Sequence, residues 1–326
     1  MPELKEVFDM VTKQTEPDIG SWNDQERRQR RSVRNRKVGA FALVAGLLAV
    51  AAIVAITLPR EDRTTDTGTD PRPPSGPYHL NLTTGATTPL PDSLPEASLY
   101  AVSPDGSTIA GAPCCSPPNP VWVADIDGTN VRQITPEGID GFAPRWSPDG
   151  TMLVYQERDA FTLEIGDLVV VDAATGERTT ITDLPNRSYG VWSLLPSFTA
   201  DGSSILFRMP RGPSGDVDPV GWDLMSIPVT GDETTVLARD ASLGASSPTD
   251  GSLVHVDPAS WTLFLADADG RNARMLLEVG DEIGRLSWSP TGSEVAYTDP
   301  SGLHVVDVAT GEASLVTDGE VIDWSW

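Results

Sequence analysis

A six-residue phrase recurs along this chain and limits what the chain can become. It reads AVSPDG at 101–106, RWSPDG at 145–150, SFTADG at 197–202, SSPTDG at 246–251 and SWSPTG at 287–292. Its closing glycines, Gly106, Gly150, Gly202, Gly251 and Gly292, lie 44, 52, 49 and 41 residues apart. A period of about 40–50 residues marks a repeat architecture. Each period holds four short β-branched or apolar runs bounded by Gly, Pro, Asp or Asn, the pattern of strands. In the second repeat these are APRWSPDG, TMLVYQ, DLVVVDAATG and ERTTIT. Pro-Asp-Gly joins the first run to the second, with Pro pre-setting the turn and Gly taking its positive-φ place. Asp-Gly and Thr-Gly do the same between the third and fourth.

Four antiparallel strands per repeat make one blade of a β-propeller. Five full repeats run from residue 98 to about 317. YHLNLTTGATTPL (78–90) reads as a third and fourth strand, and EVIDWSW (320–326) aligns with GRLSWSP (284–290) as a first strand. The two fragments predict a sixth blade, split between the ends and lacking its second strand. Such a join closes the ring and leaves no free sheet edge. The expected fold class of residues 78–326 is therefore all-β, a six-bladed propeller.

The W-S-P-D-G phrase, the apolar strand after it, V-x-x-D-x-x-G and a strand ending in Leu/Ile-Thr resemble the TolB-type propeller repeat, a WD-like repeat. That family also supplies the N-terminal propellers of prolyl-oligopeptidase-like enzymes. The resemblance covers 78–326 and implies a fold more than a role. Two repeats depart from it: SSPTDG has no aromatic residue, and Ala200 replaces the proline of the third phrase.

The first 77 residues are of another kind. Residues 1–37 form a polar head in which Leu4, Val7, Phe8 and Val11 mark one stripe of a short helix. RRQRRSVRNRK (27–37) carries seven positive charges. The next 21 residues, 38–58, carry none. As a helix they would reach about 31 Å, enough to cross the hydrocarbon core. The basic flank predicts a cytoplasmic head and a propeller outside the cell. The apolar run is too long for a cleaved signal peptide, so an uncleaved signal-anchor is expected. Residues 59–77, rich in Pro, Thr and Asp, read as a disordered linker. Lysine-poor, Ala/Arg-rich and headed by a basic cluster, the chain is similar to membrane proteins of high-GC Gram-positive bacteria.

Charge and motif content exclude several functions. The net charge is −24, and residues 61–326 hold 13 Lys+Arg against 40 Asp+Glu. So acidic a domain lacks the basic footprint that nucleic acid requires, and no nucleic-acid partner is expected. No G-x-S-x-G elbow occurs for a serine hydrolase. His79, His255 and His304 fall in strands of three different repeats and read as sheet residues rather than a metal set. The D-x-D-G-x-N strings at Asp125–Asn130 and Asp267–Asn272 resemble part of a calcium loop, but they sit where a turn already calls for Asp-Gly. No catalytic residue, metal or cofactor is expected. Cys114 and Cys115 are adjacent; a vicinal disulfide, free thiols and a bond to another chain all remain open.

The candidate recognition surface follows from loop lengths. The tight turns share one face of the ring, and the insertions ERDAFTLEIG, TDLPNRSYGVW, RMPRGPSGDVDPVGW and APCCSPPNP share the other. Loops on a rigid scaffold carry function. Arg187, Tyr189, Trp192, Arg208, Arg211, Asp218 and Trp222 give the third blade a polar and aromatic rim there. The expected role is a membrane-anchored, non-catalytic binding or sensor module for a protein, peptide or envelope polymer. One alternative is a regulator whose head, 1–37, binds a cytoplasmic factor in the manner of anti-sigma proteins. Another is an enzyme with its site in the channel, where the inner strands offer chiefly Arg145 and Arg285.

Overall fold

The computed structural model describes residues 77–326 except 114–118, 160–165, 185–193, 213–218 and 319–320. The head, the apolar segment 38–58 and the linker up to 76 lie outside the described residues, as do Cys114 and Cys115. Every regular element among the described residues is a β-strand.

The first two, β1 (Tyr78–Asn81) and β2 (Thr87–Pro89), precede the full repeats. Blade 1 comprises β3 (Leu99–Val102), β4 (Thr108–Ala112), β5 (Trp122–Asp125) and β6 (Arg132–Gln133). Blade 2 comprises β7 (Ile139–Trp146), β8 (Met152–Asp159), β9 (Leu168–Asp172) and β10 (Arg178–Thr180). Blade 3 comprises β11 (Ser197–Phe198), β12 (Ser204–Arg211), β13 (Gly221–Pro228) and β14 (Thr235–Arg239). Blade 4 comprises β15 (Gly244–Ser246), β16 (Leu253–Asp257), β17 (Thr262–Ala266) and β18 (Arg274–Glu278). Blade 5 comprises β19 (Arg285–Trp288), β20 (Glu294–Asp299), β21 (Gly302–Asp307) and β22 (Ala313–Thr317), and β23 (Val321–Ser325) ends the chain. Each full blade is a four-stranded sheet in sequence order.

The sixth sheet has three strands, in the order β2-β1-β23. Its β1 pairs antiparallel with β2 but parallel with β23. In an up-and-down blade the first and third strands run the same way, separated by the second. With the second absent they become neighbours, and a parallel pairing results. The predicted split blade is present, including its missing strand.

The repeated phrase closes with the same three-residue glycine bond in four of the five full blades. In blade 1, Ser103 Oγ donates to Asp105 Oδ1 at 2.6 Å and accepts the Thr108 N–H at 2.9 Å. The Gly106 N–H reaches the Ser103 carbonyl at 2.8 Å, with Gly106 at φ 74°. Blade 2 repeats this with Ser147, Asp149 and Met152, and blade 3 with Thr199, Asp201 and Ser204. Ala200 in place of proline leaves the turn intact. Blade 4 carries one residue more, so Gly251 bonds back four residues, to Ser247.

The core lies between blades. Six apolar clusters fill six seams; at the seam of blades 2 and 3, Val154, Leu168 and Val170 meet Ile205, Phe207 and Ile227. Strand residues pointing to either sheet face are thus buried, which accounts for near-continuous apolar runs such as LVVV in β9 (positions 1–4 buried).

The tryptophans of the phrase tie the inner strands into a ring. Trp146 Nε1–H donates to the Ala101 carbonyl of the preceding blade at 2.9 Å. Trp288 donates to the Ala245 carbonyl at 2.9 Å, and Trp324 to Ser287 Oγ at 2.6 Å. Blade 3 has Phe198 here and uses other bonds toward blade 4, among them Ala200 N–H to Ser246 Oγ at 2.8 Å.

Candidate functional site

Two regions concentrate chemistry. The first is the outer end of the long blade-3 hairpin. Strands β12 and β13 pair over eight residues, from Ser204↔Pro228 to Arg211↔Gly221. This carries them to the long-connection face, where residues 213–218 follow. There the Arg208 guanidinium stacks over the Trp222 ring, 4.2 Å from its centroid. A cation over an indole is an attractive arrangement, worth about 0.5–2 kcal/mol. Burial lowers the Arg208 pKa to about 10, opposed by the charge of Glu282, so the side chain stays cationic at neutral pH. Arg211 reaches Asp223 at 3.5 Å and also pairs with Asp240. Beside them Val220 is 72% exposed. The structure therefore brings Arg208 and Trp222 together, while Arg211, an odd number of residues from Arg208 along β12, turns to the other sheet face and pairs with Asp223 and Asp240. Arg187, Tyr189, Trp192 and Asp218 lie outside the described residues.

The second region is the channel. The six inner strands surround a cavity of about 500 Å³ that opens between the Pro-Asp-Gly turns. This is the face opposite the long connections. Trp146, Trp288, Trp324 and Trp326 form much of its wall. Its charged lining consists of Arg145 and Arg285. Arg285 pairs with Asp323 and stacks over Trp324 at 4.6 Å. Asp323 is 1% exposed and also accepts the Val102 N–H at 2.5 Å. One carboxylate of the split blade thus holds both neighbouring blades. No sequence signal singled out Asp323, because its partners are distant in the chain. Arg145 makes a different set of contacts: it donates to the Pro144 carbonyl at 2.8 Å and forms no ion pair with a described residue.

The histidines serve the sheets. His255 stacks on Phe264 at 5.6 Å, and both of its ring nitrogens are buried without a partner. Burial lowers its pKa, and that of His79 as well. His304 stacks on Tyr297 at 5.1 Å. Near it, Ser301 Oγ lies 2.9 Å and Asp299 Oδ1 3.2 Å from the same atom, His304 Nε2. A nucleophilic relay needs the serine and the carboxylate on opposite ring nitrogens. This trio locks the β20–β21 turn instead. In the D-x-D-G-x-N strings, Asn130 Nδ2 donates to Asp125 Oδ2 and Asn272 Nδ2 to Asp267 Oδ2, each at 2.6 Å. Asn130 and Asn272 adopt φ 53°, so these side chains shape turns.

The described residues define a six-bladed β-propeller closed by a blade drawn from both ends of the repeat region. No family model matches the sequence. Over 62 residues the chain is 37% identical to the Tol-Pal system protein TolB of Albidiferax ferrireducens. That match spans 18% of this chain and 15% of the relative's length. The solved structure of oligogalacturonate lyase in complex with manganese is similar over 74% of this chain and 71% of that one, with TM-score 0.50 and 19% identity. TolB from Acinetobacter baumannii is similar over 61% of this chain and 47% of that one, with TM-score 0.44 and 19% identity. The chain is a six-bladed β-propeller with a short segment similar to TolB.

Proposed function

We infer that this chain is a membrane-anchored binding module that holds its propeller outside the cell and recognises a protein, peptide or envelope polymer without catalysing a reaction. The observation that carries the reading is the Arg208–Trp222 stack at the end of the extended blade-3 hairpin. Arg and Trp are the residue types that dominate interface energetics. Here they are ordered in advance on a rigid scaffold, which lowers the entropy cost of binding. Exposed Val220 adjoins them. The basic cluster 27–37 and the uncharged segment 38–58 support the topology. Protease added to intact cells should remove the propeller and spare residues 1–37; a propeller cleaved only after lysis refutes this placement. Alanine at both Arg208 and Trp222 should weaken partner binding without altering the fold.

An enzyme reading draws on the likeness to oligogalacturonate lyase. It predicts that the purified chain degrades oligogalacturonate with manganese present, and a binding module predicts that the polymer stays intact. The regulator reading places recognition in residues 1–37 and predicts stoichiometric capture of a cytoplasmic factor by that peptide.

A further inference from the structure

Within a chain of net charge −24, the channel mouth between the Pro-Asp-Gly turns has a lining with two guanidinium groups and no acidic side chain. The cationic groups come from opposite sides of the ring, Arg145 from blade 2 and Arg285 from blade 5. Asp323 stands behind Arg285 and pairs with it; its charge also reaches Arg145, but Arg145 forms no ion pair with a described residue. The rest of the wall is indole, proline, small side chains and the apolar Val102, Phe198 and Leu286, with hydroxyls from Ser197, Ser246 and Ser325 among others. A cavity of about 500 Å³ suits a small ligand or one residue of a longer chain.

We propose that this mouth binds a carboxylate-bearing ligand between Arg145 and Arg285, with Arg145 as its principal anchor. A planar guanidinium matches a carboxylate through paired hydrogen bonds. One guanidinium with no ion pair to a described residue suits a monoanion. A phosphate dianion would call for more donors than this wall supplies, because the indole N–H groups of Trp146, Trp288, Trp324 and Trp326 are already given to neighbouring strands. Burial and the charge of Arg285 press on Arg145 and outweigh the opposing charge of Asp323, lowering its pKa to about 9, so an arriving anion would relieve a real electrostatic cost. The carboxylate could end a peptide or belong to a sugar acid. This site lies on the opposite face from the blade-3 surface and stands independently of it.

The test is calorimetric titration of the full chain in detergent micelles. N-acetyl-alanyl-alanine and galacturonic acid represent the two sources. The corresponding peptide amide and galactose are their uncharged counterparts, and inorganic phosphate is a third anion. At least one acid should bind about tenfold or more tightly than its counterpart, the loss expected for removing a charge-assisted bond. Arg145→Gln should abolish that preference and Arg145→Lys should retain part of it. Ala200→Glu, which adds a carboxylate to the cavity wall, should abolish it as well, whether or not Arg145→Gln folds. Equal binding of acid and counterpart, no binding of either acid, tighter binding of phosphate, or an unchanged preference in Ala200→Glu would overturn the proposal.

Discussion

The Asp323 carboxylate accepts the Val102 backbone N–H at 2.5 Å, joining the last strand of the chain to the first full blade. The same carboxylate pairs with Arg285 of blade 5. The split blade is therefore held from both sides by one buried charge. Asp323→Ala would leave Arg285 uncompensated beside the channel and the Val102 N–H unpaired. Breaking one partner of a buried pair costs about 3–5 kcal/mol. Urea unfolding should show a loss of that size. The double variant with Arg285→Met should recover part of it, since the stranded charge is gone.

The inter-blade tryptophans give a graded series. Trp146→Phe keeps the ring packing and loses the bond to the Ala101 carbonyl. The expected cost is about 1 kcal/mol. Phe198 occupies the matching position of blade 3, so the fold accepts this residue there. Trp288→Ala removes both the bond and the packing and should cost about 3–5 kcal/mol. Thermal unfolding of the two variants distinguishes these losses.

Acid should weaken the fold through its buried histidines. Burial lowers the pKa of His255 and of His79 below the usual 6.5. The unfolded chain then binds protons more readily than the folded one below about pH 6.5. Stability contributed by the neutral rings is present above that value and is lost as pH falls through it toward the lowered folded pKa. His255→Phe removes one proton site while keeping the stack on Phe264. Its melting temperature should fall less between pH 7 and pH 5 than that of the parent. An equal fall in both would contradict this origin.

The turn aspartates titrate lower. Asp149 accepts Ser147 Oγ and the Thr151 N–H, and those bonds hold its pKa below the usual carboxylate value. Asp149→Asn should cost about 1 kcal/mol at neutral pH. The difference from the parent should shrink as pH drops through the usual carboxylate range and the aspartate itself becomes protonated.

What was legible in the sequence was local. Pro-Asp-Gly turns, short apolar runs and a regular spacing expose the blades, because each signal lies within a few residues of the structure it makes. The split blade was legible for the same reason: EVIDWSW looks like a first strand wherever it stands. Pairings across the ring were not legible. Arg145 and Arg285 occupy equivalent places beside the phrase, and only one receives a counter-ion, from a residue near the end of the chain. The bond between Asp323 and Val102 spans 221 positions. Nor does the phrase reveal that its tryptophans reach back into the preceding blade. The sequence therefore points to Arg145 and Arg285 in the channel but not to the difference in their counter-ions. On the long-connection face, three of the seven rim residues, Arg208, Arg211 and Trp222, fall among the described residues; Arg208 stacks on Trp222, and Arg211 pairs with Asp223.

The most direct measurement of the binding role is photo-crosslinking in intact cells from an unnatural residue at Val220, next to the Arg208–Trp222 stack. The account predicts a discrete extracytoplasmic adduct that disappears when Arg208 and Trp222 are both alanine, with the protein still folded and displayed. Absence of any adduct, or the same adduct in the double variant, would contradict it.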